Sequence, residues 1–203
     1  MLYDTLVLSV GSVTNYFGVE GAEEFAIALD SPSDAERFRQ RLIAAGTRVQ
    51  HSQPAAARDD IRNVLASNAA NRTARRAPVS IVIVGAGPTG VELSAELRET
   101  AETFAAYGLE TDPRKDVSIT IVEGGERILP ALPERVSKQT RGLLDTMGVQ
   151  IMTGEVSGVT AATLRTKSGK TLPSDLTVWA AGIKAPPVLA GLDNVPTNRA
   201  GHV

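Results

Sequence analysis

The sequence predicts an α/β fold: a Rossmann-like parallel sheet with crossover helices, interrupted by an antiparallel β-meander. Three observations predict it. The apolar run Val79–Val84 leads into the glycine turn Gly85-Ala86-Gly87-Pro88-Thr89-Gly90, which opens a helical pattern. Strand-like and helix-like stretches then alternate from Val117 to Met152. Finally, "EVSGVTAATLRTKSGKTLPSDLTVWAAG" breaks into short runs at Ser168-Gly169 and Pro173-Ser174, the punctuation of hairpins.

Composition bounds the rest. A chain of 203 residues with 42% hydrophobic residues can build one domain core, or one domain with pieces of another. The net charge of −2 gives no basic excess, which argues against nucleic acid as a partner. With no cysteine, this stretch carries no disulfide, no cysteine zinc site and no thiol chemistry, and it fits a reducing, cytoplasmic compartment. No metal site is expected. No apolar run approaches bilayer length, and "MLYDTLVLSVGS" lacks the pattern of a signal peptide. There are no repeats of solenoid period.

Taken in order, Tyr3–Val10 is apolar and β-branched, and reads as a strand entering the turn-rich "GSVTNYFGVEG". The chain opens directly on this run, as if cut at the front. An unpaired apolar edge seeks a partner, so the strand is expected to pair with another copy or dock elsewhere. Ser31-Pro32-Ser33-Asp34 starts a helix, with serine as cap and proline and acids in the first turn. Phe38, Leu42 and Ile43 give it an apolar stripe. Gly46–Ala77 is polar and alanine-rich, divided by Pro54, and Ile61, Val64 and Leu65 suggest a second, weaker helix with an exposed face.

Val79–Val84 is almost continuously apolar, the pattern of a parallel strand covered on both faces. The helix after Pro88 places Leu93, Leu97, Ala101 and Phe104 on one face and ends near Gly108. A strand follows at Val117–Val122. Next comes a helix at Pro133–Met147, with Val136, Leu143, Leu144 and Met147 inward. Gly148 suits its C-terminal cap, and Val149–Met152 is again a strand.

Each glycine of the turn has its own reason. Gly85 allows a sharp turn after the strand. Gly87 has no side chain to hold a pyrophosphate off the backbone, and Gly90 lets helix and strand pack closely. Pro88 sits where no amide partner is needed, and the helix N-terminus offers N–H groups to phosphate. The second strand ends in Glu123. A carboxylate there accepts both hydroxyls of an adenosine ribose and repels a 2′-phosphate, favouring NADH over NADPH. Arg127, in "GGERILP", is a counter-signal. Glu123 arrives later than the usual separation of about 20 residues, the excess lying in "TAETFAAYGLETDPRKD". The plainer readings are a tight turn without ligand and a solvated strand-end acid. The strand, turn, helix and acid together favour the dinucleotide.

"IVIVGAGPTGVELSAEL", "ITIVEGGERILP" and "LTVWAAGIKAPPVL" together resemble the type II NADH dehydrogenases, respiratory-chain flavoproteins of the FAD-dependent pyridine nucleotide oxidoreductase superfamily. "YDTLVLSVGSVTNYFGVEG" resembles the strand and loop that lie against FAD in that family. The resemblance covers nearly the whole chain and is weakest at residues 46–77. It implies that Gly85, Gly87, Thr89 and Gly90, with Pro88 starting the helix, line the NADH pyrophosphate. It implies Glu92 at the nicotinamide ribose, an exposed helix acid being the alternative, and Glu123 at the adenosine ribose. Ala181 and Gly182 would let the nicotinamide lie flat against the flavin. No side chain need act as acid or base, so no catalytic residue is expected. His51 and His202 read as exposed, Trp179 as core, and Arg58, Arg75 and Arg76 as solvated charge.

The resemblance also implies a division: residues 1–30 as a remnant of the FAD-binding domain, 31–77 as a helical linker, 78–192 as the NADH-binding domain, and 193–203 as the return toward the FAD domain. The FAD turn, and the parts that meet quinone and the membrane, would lie outside the chain. The implied activity is hydride transfer from NADH to flavin, then electrons to quinone, in a protein peripheral on the inner face of the membrane, with a homodimer as a further expectation. The 203 residues alone are expected to bind NADH, to retain no FAD and to be inactive. Alternatives are another flavin reductase, of ferredoxin-reductase or sulfide:quinone type, or a nucleotide-binding module without redox role, against which "GSVTNYFG" argues.

Overall fold

The computed structural model describes residues 4, 5, 7, 9–51, 78–106 and 112–191. In chain order the elements are β1 (Val13–Thr14), α1 (Ala22–Phe25), β2 (Ala26–Ile27), α2 (Pro32–His51), β3 (Val79–Val84), α3 (Pro88–Ala106), α4 (Pro113–Asp116) and β4 (Val117–Glu123). There follow α5 (Glu134–Thr146), β5 (Val149–Thr153), β6 (Val156–Val159), β7 (Thr163–Thr166), β8 (Thr171–Pro173), β9 (Leu176–Trp179), β10 (Ile183–Lys184) and a 3₁₀ turn at Pro187–Gly191.

β3 organises the fold. It is central in a five-stranded parallel sheet of order β2-β9-β3-β4-β5. It pairs with β4 from Val79↔Val117 to Val84↔Val122, and with β9 from Ile81↔Leu176 to Val84↔Trp179. Successive side chains of a strand point to opposite faces. Ile81 and Ile83 therefore join the core under the helices, with Leu97 of α3 and Leu144 of α5. Val82 and Val84 join a second core with Val156, Val159, Leu164 and Trp179. The apolar continuity of β3 thus comes from cover on both faces, by helices on one and by the antiparallel β6-β7-β8 sheet on the other.

Local chemistry explains the boundaries. The Ser31 hydroxyl oxygen accepts the Asp34 N–H at 3.2 Å and caps the start of α2. Gly148, at φ +76°, ends the turn after α5 in the left-handed region that favours glycine. β1 pairs antiparallel with β10, bringing residues 13–14 beside 183–184.

Three expectations need correction. Ile43 is 50% exposed, because Phe38, Leu42 and Ala45 form the inner stripe of α2 and Ile43 stands about 100° round from Leu42. Leu143 is 66% exposed, because the buried face of α5 centres on Ser137 and Leu144, about 100° from it. α2 also runs through Gly46 to His51, beyond the expected stripe.

The expected strand Tyr3–Val10 is not seen where it can be judged. Tyr3, Leu6 and Leu8 lie outside the described residues, and Asp4, Thr5, Val7, Ser9 and Val10 belong to no strand. Val7 is 81% exposed. A strand needs a neighbour for its N–H and C=O groups, and among the described residues none runs beside this segment. Also outside the described residues are Pro54, Arg58, Ile61, Val64, Leu65, Arg75, Arg76, Gly108, residues 193–203 with His202, and the side chains of His51 and Phe104.

One core feature was not anticipated. Arg98 of α3 is 2% exposed. Its guanidinium donates to the Val117 carbonyl at 3.2 Å and the Gly148 carbonyl at 3.3 Å, tying α3 to the starts of β4 and β5. Burial lowers its pKa from the ordinary arginine value.

Candidate functional site

The site forms where β3, β4 and β9 end. Gly85 leaves β3 at φ +102°, its N–H donating to the Val122 carbonyl at 2.8 Å. A Cβ here would stand 2.9 Å from the Ala180 carbonyl and from Ala181 Cα. The turn is therefore glycine because the main chain after β9 presses against it. A Cβ on Gly90 would stand 2.0 Å from the Gly85 carbonyl oxygen, which lets α3 sit close on the turn. Gly87 differs: a Cβ there would meet no heavy atom within 4 Å. Its missing side chain leaves room that the protein does not fill.

Glu123 is wired into this turn. One carboxylate oxygen accepts the Ala86 N–H at 2.6 Å, and the other accepts the Gly125 N–H at 2.7 Å. The Leu129 N–H donates to the Ala86 carbonyl at 2.8 Å, and the Ser137 hydroxyl donates to the Ile128 carbonyl at 2.6 Å. The loop after β4 is thus laced to the glycine turn and to α5. Arg127 points along this loop: its guanidinium donates to the carbonyls of Leu129, Pro130 and Leu132 at 3.3, 2.6 and 2.8 Å. It clamps a turn in which Leu129 has φ +49°.

The third part comes from β9. The Trp179 indole N–H is shared between the carbonyls of Asn15 at 3.0 Å and Ala181 at 2.9 Å, and the ring is buried against Tyr16. It holds the 13–18 loop against the 181–184 segment, as does the Asn15 N–H, which donates to the Gly182 carbonyl at 3.1 Å. Burial, then the Asp30 carboxylate, raises the pKa of the Tyr16 phenol. Gly182 has φ +70°, and a Cβ on it would stand 2.2 Å from the Phe17 ring. Phe17 itself has φ +53° and is 63% exposed, its N–H held by the Asn15 side-chain oxygen at 2.9 Å.

These parts enclose a cavity of about 600 Å³, whose lining includes Gly85, Gly87, Glu123, Ala181 and Gly182. Five of the expected site residues therefore meet in one space. Gly90 is buried beneath the turn. Pro88, Thr89 and Glu92 are exposed on the first turns of α3, outside that lining. Phe17 separates this cavity from a second, of about 790 Å³, bordered by residues 13–19 with Asp30 and Lys184. Glu155 and Lys167 also line the first cavity. Neither was singled out from the sequence, where the acid after "MTG" was the only available signal. Among the described residues no cluster of histidines and acids is placed to hold a metal.

The family model described as pyridine nucleotide-disulphide oxidoreductase matches residues 1–203. A type II NADH:quinone oxidoreductase of Haemophilus influenzae is 36% identical over 198 residues, covering 97% of this chain and 43% of the relative. An external alternative NAD(P)H-ubiquinone oxidoreductase B4, mitochondrial, of Arabidopsis thaliana is 32% identical, covering 93% of this chain and 31% of the relative. The chain thus spans less than half the length of either. The structure of NDH2 from Plasmodium falciparum in complex with NADH shares the fold, with a TM-score of 0.76 at 23% identity, over 98% of this chain and 39% of that one. A ferredoxin reductase from Rhodopseudomonas palustris shares it less closely, with a TM-score of 0.66 at 18% identity, over 97% and 39%.

Proposed function

The chain belongs to the pyridine nucleotide-disulphide oxidoreductase family, and on that premise we propose that it supplies the NADH-binding part of a flavin-dependent NADH:quinone oxidoreductase. The observation that carries this reading is the single cavity in which Gly87, Glu123 and Gly182 meet. The name of the Haemophilus relative supports NADH as donor and quinone as acceptor, and that of the Arabidopsis relative supports a nicotinamide dinucleotide, NAD(P)H, and ubiquinone.

The residues divide the work by chemistry. Gly87 leaves open the space a pyrophosphate needs. The first N–H groups of a helix lack intrahelical partners and favour negative charge, so the start of α3, where Pro88 and Thr89 stand exposed next to Gly87 of the cavity wall, is assigned to the phosphates. Gly90 keeps that helix end close to Gly85. Each Glu123 oxygen accepts one main-chain N–H and has a further lone pair for a ribose hydroxyl. Its charge repels a 2′-phosphate, and Arg127, engaged with three carbonyls, offers that phosphate no relief. Glu92 is assigned to the nicotinamide ribose from its place on α3. Ala181 and Gly182 add little bulk of their own where a flat ring would lie, and the exposed Phe17 ring, packed against Gly182, now occupies part of that space.

The neighbouring cavity, with Tyr16 and Phe17 in its wall and Glu23, Glu24, Asp30 and Lys184 as its charged groups, offers one side to a flat heteroaromatic ring such as that of FAD. A flavin bound there supplies the hydride acceptor and the electron route to quinone. The residues of this chain bind and orient the donor, and none acts as acid or base. Residues 1–30 and 193–203 are assigned to the flavin domain, 31–77 to a linker and 78–192 to NADH binding. Quinone and peripheral contact with the inner face of the membrane are assigned outside this chain; no described helix is long and apolar enough to cross a membrane. Self-association through the exposed Val7 and Val10 completes the proposal.

Calorimetric titration tests it. The chain should bind NADH, bind NADPH more weakly, and retain no FAD. A folded sample that takes up no NADH at millimolar concentration contradicts the reading.

A further inference from the structure

We propose that Glu155 and Lys167 form a second selector for the adenosine end of the dinucleotide, the carboxylate holding a cavity cation away from a 2′-phosphate. The inference rests on the dinucleotide reading of the cavity and adds residues that the glycine-turn pattern does not contain. Among the described residues, the charged side chains lining that cavity are Glu123, Glu155 and Lys167.

Three observations place the pair. Glu155 lies just beyond the end of β5, and its Cγ is 3.5 Å from where a Cβ on Gly124 would project. Its stem therefore covers the residue next to Glu123. Lys167 arrives from the turn after β7: its N–H donates to the Glu155 carbonyl at 2.8 Å, and its ammonium is paired with the Glu155 carboxylate. Arg127 is committed to the carbonyls of Leu129, Pro130 and Leu132.

The charge balance follows. The lining carries a net charge of one negative, and its cation is already paired. A 2′-phosphate, bringing about −2 at neutral pH, meets two carboxylates and no free partner in that lining. A ribose hydroxyl meets an acceptor. The side chains of the pair remain 67% and 59% exposed, so the pairing is weak and Lys167 is recoverable once Glu155 is neutral. Selection against NADPH is thus shared: Glu123 repels the phosphate, and Glu155 both repels it and occupies the lysine.

The test is a fluorescence titration of this chain with NADH and with NADPH, for the wild type, Glu155→Gln, Lys167→Met and the double variant. Glu155→Gln should tighten NADPH about twofold to fivefold, the scale of an exposed ion pair, with NADH changed by less than about twofold. The gain should vanish in the double variant and shrink in high salt. Unchanged selectivity in Glu155→Gln, with NADH still bound, overturns the selector and leaves the dinucleotide site standing. A gain that persists without Lys167 overturns the role of the lysine. Failure of the wild type to bind NADH overturns the dinucleotide reading itself.

Discussion

Gly87→Ala separates a glycine kept for its ligand from one kept for packing. The added methyl meets no protein atom within 4 Å, and Gly87 is not among the residues at positive φ. Stability should stay level or rise by about 0.4–1 kcal/mol, because alanine restricts the unfolded chain. Gly87 lines the cavity beside the start of α3, so an added methyl is expected to narrow it. A pyrophosphate pushed off that helix end loses at least one charge-assisted hydrogen bond, about 1.5–3 kcal/mol, or about 10- to 100-fold in affinity. Gly90→Ala is the contrast: its methyl would stand 2.0 Å from the Gly85 carbonyl oxygen, a main-chain atom that no side-chain rotation can move aside. Overpacking of this kind costs about 1–3 kcal/mol, and a main-chain clash belongs at the upper end. Urea unfolding with NADH titration reads both quantities. Gly87→Ala should keep its unfolding midpoint and lose NADH, whereas Gly90→Ala should lose both. A folded Gly87→Ala variant with wild-type NADH affinity would refute the assignment.

Further outcomes follow from the same geometry. Glu123→Arg should shift preference toward NADPH in paired titrations. It should also lower stability by about 1–3 kcal/mol in urea melts, since the Ala86 and Gly125 N–H groups lose their acceptor. Trp179→Phe leaves part of the indole volume empty and strands the Asn15 and Ala181 carbonyls, so limited proteolysis should cut the 13–18 loop sooner, with about 2 kcal/mol lost. Glu36 has its pKa lowered from 4.5 to about 2, chiefly by hydrogen bonding from Arg39. A depressed carboxylate contributes stability above its unfolded pKa and loses it as pH falls toward the folded value. Helix dichroism at the melting midpoint should therefore weaken between pH 4.5 and about 2, and Glu36→Gln should flatten that slope.

What could be read from the sequence was what is local in the chain. The run from Val79 through the glycine turn into α3 is contiguous, so its pattern survives without knowledge of the fold. Glu123 was legible because it closes a strand, and Gly148 because a helix had to end there. What sequence missed depends on partners distant in the chain. Which side of α2 and α5 is buried is set by the sheet they meet, so Ile43 and Leu143 were misplaced. Arg98 reads as a solvent-facing helix charge until the carbonyls of Val117 and Gly148 are brought to it. The reason for Gly85 lies partly in Ala180 and Ala181, which the return of β9 presses against it. Lys167 meets Glu155 only because a hairpin folds one onto the other. Arg127, a counter-signal in sequence, is resolved by the carbonyls it clamps.

The central claim is that one cavity holds NADH between the glycine turn, Glu123 and the Ala181–Gly182 segment. Amide chemical-shift mapping during an NADH titration tests this most directly. Saturable shifts should centre on Gly85, Gly87, Glu123, Gly124, Ala181 and Gly182. Shifts centred instead on the Asp30 and Lys184 cavity, or no saturable shifts in a folded chain, would contradict it.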